Sequence, residues 1–122
     1  IRPVYCNQEG GDVVARKVQI MKLDRMTLEA LLRSASKKYG DQAALALIDS
    51  EPLTYSEVEK MAERTAENLL AAGMGKGSNV AILGENMPNW LVSYFAIALS
   101  GATALPILPA FKDTEIENII KH

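Results

Sequence analysis

The chain predicts an α/β fold made of an N-terminal helix, a β-hairpin and a βαβ unit. Three observations carry this reading. Apolar residues recur at helical spacing in separate segments, and short apolar runs bounded by Gly, Pro and Asp lie between them. One strand–helix–strand pattern, Asn79 to Leu108, has the roughly 30-residue length of a parallel crossover unit.

Thr27 is placed to cap a first helix, because Leu28, Leu31, Leu32, Ala35 and Tyr39 follow at one-face spacing. Gly40 stands where that helix should stop. Ala43 to Ile48 and Leu53 to Tyr55 are short apolar runs joined by Asp49-Ser50-Glu51-Pro52, which predicts a hairpin with a four-residue connection. Ser56 and Glu59 have capping-box spacing and open a second helix. Val58, Met61, Ala62, Thr65, Ala66 and Leu69 form its stripe, its charges face water, and Gly73 ends it. Asn79 to Leu83 reads as a buried strand. Asn86 is expected to cap, and Pro88 to open, a helix to Ser100 that is apolar on nearly every side. Gly101 stops it, and Thr103 to Leu108 supplies the second strand, parallel to the first. Thr114 and Glu117 repeat the capping-box spacing, and Ile116, Ile119 and Ile120 begin a last amphipathic helix.

A chain of 122 residues holds one modest core. The net charge of −2 argues against nucleic acid or an anionic membrane surface as partner, since both favour a basic excess. Cys6 is the one cysteine, so no internal disulfide forms, which fits a reducing compartment. The first residue is Ile, Met21 is a candidate natural start, and residues 1–22 read as a leader or tag-like segment ahead of a domain spanning 23–122. Asn86 to Phe111 lacks charged side chains over a length that could cross a bilayer. Gly101, Pro106 and Pro109 interrupt it and no Lys/Arg cluster flanks it, so a buried helix followed by a buried strand is the better reading.

The motifs offer little chemistry of their own. Gly73-Met74-Gly75-Lys76-Gly77-Ser78 has the glycines of a phosphate loop but follows a helix and precedes a strand, the reverse of the order that aims N–H groups at phosphate. It reads as a helix stop and turn. Gly84-Glu85-Asn86-Met87-Pro88 lies at the carboxyl end of a strand, where α/β folds bind ligands, yet Glu85 would repel an anion. His122 is the only histidine, and no partner stands at metal-ligand spacing. Trp90, Tyr94 and Phe95 read as core packing.

Five ordered segments carry a resemblance. Leu53-Thr54-Tyr55-Ser56-Glu57-Val58 is similar to the L-T-Y-x-E-L signature of adenylate-forming enzymes, and Leu99-Ser100-Gly101-Ala102-Thr103-Ala104-Leu105-Pro106-Ile107 resembles their L-x-x-G-A-x-x-x-P-[IVL] segment. Gly77 to Leu83 is similar to the G-D-x-V-A-I-x strand, with Ser78 in place of Asp. Asn86 to Trp90 resembles N-x-P-E-[FW], and Leu31 to Ala44 the opening that holds G-D. From Leu23 to His122 the chain resembles the N-terminal segment of an AMP-forming acyl-CoA synthetase, most like the long- and medium-chain fatty acid–CoA ligases.

The resemblance implies a partial N-terminal subdomain of the adenylate-forming fold. It also implies a parent enzyme that uses ATP and Mg²⁺ to make an acyl-adenylate, then passes the acyl group to coenzyme A. The family's phosphate loop, metal-holding carboxylate and late lysine lie downstream, so no catalytic and no metal-binding residue carries over, and the segment is expected to bind no cofactor and to be inactive alone. One contact is carried over: Leu108, Pro109, Ala110 and Phe111 occupy the loop that in some relatives borders the CoA nucleotide, although Pro109 and Ala110 replace the small glycines favoured there. The competing expectation is simple packing of Phe111 onto the domain. The expected partners are the remainder of the ligase chain and a second copy through self-association, with fatty acid and CoA met only in the full-length enzyme and nucleic acid not at all. The expected location is the cytoplasm, with the parent enzyme able to sit at a membrane periphery. Two other readings stand beside this one: a stand-alone interaction or dimerisation domain of the same fold, and a fragment of an aryl- or amino-acid-adenylating enzyme.

Overall fold

A computed structural model describes residues 25–121; the readings that rest on the leader, on Cys6 and on His122 lie outside the described residues. Helix α1 runs Leu28–Tyr39 and is capped by Thr27, whose Oγ1 accepts the Ala30 N–H at 3.1 Å. Gly40 closes it in right-handed rather than left-handed geometry (φ −32°, ψ −55°). Its lack of a side chain serves proximity instead, because a Cβ there would stand 2.8 Å from Ser56 Oγ. The Ser56 N–H donates to the Gly40 carbonyl at 3.0 Å, which pins the start of the next helix to the end of α1.

Strands β1 (Ala43–Leu45) and β2 (Leu53–Thr54) pair antiparallel, which confirms the hairpin and shortens it. The connection is longer than four residues because Leu47 turns back. Its N–H donates to Ser50 Oγ at 3.1 Å and its carbonyl accepts the Ser50 N–H at 3.2 Å. Asp49 takes the left-handed conformation (φ 63°) that short polar side chains tolerate. Ile48, counted into the strand from its apolar character, is 93% exposed at the turn.

Helix α2 spans Tyr55–Ala71, two residues longer at its start than the Ser56 cap predicts. The capping box is formed by Thr54 and Glu57: the Glu57 N–H donates to Thr54 Oγ1 at 3.2 Å, and Glu57 Oε2 accepts the Thr54 N–H at 2.8 Å. These hydrogen bonds, the backbone one foremost, hold the Glu57 carboxyl below its ordinary value. Gly73 (φ 83°) ends α2 as expected: Gly73 N–H donates to the Leu70 carbonyl and Met74 N–H to that of Leu69, a Schellman closure.

The βαβ unit forms where the sequence predicts, but its first strand is not the buried one expected: Asn79, Ala81 and Leu83 are exposed and only Ile82 is buried. Strand β3 is Asn79–Leu83, α3 is Pro88–Ser100 and β4 is Thr103–Ile107. β3 and β4 are parallel and paired from Asn79↔Thr103 to Leu83↔Ile107. Gly101 (φ 79°) closes α3 with a second Schellman pattern, Gly101 to Ala98 and Ala102 to Ile97. At its start Met87, not Asn86, is the cap residue, and no side chain caps it. No helix of the described residues is long and apolar enough to cross a membrane. Helix α4 is Asp113–Lys121, so Thr114 lies inside it and does not cap it. There Glu115 Oε2 accepts the Lys112 N–H at 2.8 Å.

The core lies where the first three helices meet. Leu32, Val58, Ala62 and Val92 form one buried cluster, with Leu45, Leu53, Phe95 and Leu99 packed around it. Ala62 and Ala96 are fully buried, and such small side chains let helices pack closely. Asn89 is the one exposed residue of α3, which packs on α1, α2 and both parallel strands as its apolar surface predicts. Arg33 ties α1 to α2 through Glu63 at 2.7 Å, with Glu59 at 3.7 Å and its own helix's Glu29 at 3.1 Å. All four side chains reach solvent, so each such pair contributes no more than about 1 kcal/mol.

Candidate functional site

In a parallel sheet the carboxyl ends of the strands are where loops gather a ligand. Two of the segments singled out in the sequence meet there. Leu83 and Ile107 are paired at the end of the β3–β4 ladder, so the Gly84–Met87 turn and the Leu108–Phe111 loop leave the same edge. The glycine-rich segment 73–78 lies at the opposite, amino end, between α2 and β3. Its Ser78 N–H donates to the Gly75 carbonyl at 2.9 Å and its Gly75 N–H to Ser78 Oγ at 3.2 Å, a turn closed on itself.

The candidate loop is a tight turn. The Phe111 N–H donates to the Leu108 carbonyl at 3.1 Å, and α4 begins two residues later. Leu108, Pro109, Ala110 and Phe111 are all exposed, Leu108 by 62% and Phe111 by 37%. Across the edge, Gly84 meets no backbone conformation or contact that demands glycine, since a Cβ there would touch only Trp90 at 3.7 Å. Met87 starts α3 without a side-chain acceptor for the first N–H groups. Glu85 and Asn86 are exposed beside it.

Two hollows were not anticipated. One of about 340 Å³ lies between the end of β1 and the start of α3, walled by Leu45, Leu47, Met87, Trp90 and Leu91. Trp90 and Tyr94 stack at 5.6 Å with rings 9° apart, so the Trp90 ring lines this hollow instead of entering the core. The other, about 330 Å³, lies under the hairpin among Leu31, Tyr39, Ala44, Tyr55 and Phe95. The sequence signal for the first was the pairing of an aromatic residue with Met87 and Pro88 at a helix start, but the hairpin wall is a tertiary feature.

The edge can offer apolar surface and backbone groups. Among the described residues no cluster of three or more His, Cys, Asp or Glu side chains could hold a metal ion. No chemical step is assigned to these residues.

Known proteins resemble this chain in sequence and in fold. The family model described as "AMP-binding enzyme" matches residues 32–122. A putative acyl-CoA synthetase, YngI of Bacillus subtilis, is 30% identical over 83% of this chain and 19% of its own length. Tyrocidine synthase 3 of Brevibacillus parabrevis is 34% identical over 78% of this chain and 1% of its own. A solved structure titled a putative long-chain-fatty-acid CoA ligase of Rhodopseudomonas palustris superposes with a TM-score of 0.72 at 32% identity, over 77% of this chain and 24% of its own. The chain thus spans less than a quarter of each of these three proteins. With its α/β architecture and 91 of 122 residues, counted from 32 to 122, inside the family match, the chain belongs to the AMP-binding enzyme family, as part of that family's N-terminal region.

Proposed function

We propose that the chain is the N-terminal scaffold of an ATP-dependent fatty acid–CoA ligase and is inactive alone. The supporting observation is the likeness, at 32% identity, to the structure described as a putative long-chain-fatty-acid CoA ligase. The parent enzyme uses ATP and Mg²⁺ to form an acyl-adenylate and coenzyme A to accept the acyl group. In it the loop Leu108–Phe111 borders the CoA nucleotide, and the remainder of the ligase chain covers the open edge beside it. The isolated chain neither exchanges pyrophosphate into ATP nor makes thioester with fatty acids; measurable exchange would overturn this. In a full-length enzyme, Phe111→Ala raises the KM for CoA several-fold and leaves the KM for ATP unchanged, and equal effects on both would remove the CoA assignment.

A second reading, an amino-acid-adenylating enzyme, has its own support in the 34% identity to tyrocidine synthase 3. Pyrophosphate exchange by the full-length enzyme separates the two. Stimulation by fatty acids supports the first reading, and stimulation by amino acids replaces it with the second.

A further inference from the structure

We draw no further inference here: the strongest candidate, the apolar hollow of about 330 Å³ under the hairpin among Leu31, Tyr39, Ala44, Tyr55 and Phe95, carries nothing because nothing in the structure shows what fills or covers it.

Discussion

The helical core and the carboxyl edge of the parallel sheet are built on opposite terms. From α1 to α3 the apolar stripes face one another and close a shared core around Leu32, Val58, Ala62 and Val92. At the carboxyl end of β3 and β4, and along α4, apolar side chains face outward: Leu83 is 57% exposed, Leu108 62% and Ile120 65%. The core stabilises itself and the edge presents surface, so substitutions in the two regions should differ in kind.

The largest contrast is between Leu32 and Ile120. Leu32→Ala removes a side chain 3% exposed and is expected to cost about 2–5 kcal/mol in urea unfolding. A cost below about 1 kcal/mol would show that the cluster is not the core. Gly101→Ala puts a Cβ on a residue at φ 79° and is expected to cost about 1–2 kcal/mol. Thr54→Ala removes the α2 cap and should cost about 1 kcal/mol, read as a shift of the unfolding midpoint without a change in slope.

The partner of that cap supplies a pH signature. The Glu57 carboxyl is held low in the folded chain, chiefly by the Thr54 backbone N–H, so it stabilises above its ordinary value of 4.5. That stabilisation is lost as pH falls from 4.5 through the folded value. The difference between wild type and Glu57→Gln should therefore be widest at neutral pH and close in acid, and a difference constant with pH would refute the assignment. The smallest effect belongs to Ile120→Ser, expected within about 0.5 kcal/mol of wild type. A larger loss would mean that α4 is tied to the core.

The sequence made much of this legible, and its misses share a cause. Thr54–Glu57 and Ser56–Glu59 both have capping-box spacing. The choice between them is made by the Tyr55 N–H donating to Gln42 and the Ser56 N–H to Gly40, contacts between elements that no local pattern contains. Gly40 was legible as a helix stop, but its close approach to Ser56 was not. Ile48 was counted as a strand residue because it is apolar, and the turn at Asp49 outweighs that preference. Thr114 and Glu117 have capping-box spacing too, but the start of α4 is set earlier, where the Glu115 carboxylate accepts the Lys112 N–H. For the candidate site, adjacency of the two loops followed from the parallel βαβ reading, whereas the hollow beside Trp90 needs the hairpin for its far wall.

The two glycine closures at the amino end of the sheet have a consequence for how the chain tolerates changes in length. Gly73 and Gly101 end their helices by the same hydrogen-bond pattern, and Thr103 N–H donates to the Ser78 carbonyl at 2.8 Å, so both strands leave one starting line. A residue inserted between Gly101 and Thr103 would slide β4 by one position and send each of its side chains to the other face of the sheet. A residue inserted after Leu47 would only lengthen an exposed turn. Relatives should vary freely in length at the hairpin and hardly at all in the two residues, Gly101 and Ala102, that join α3 to β4.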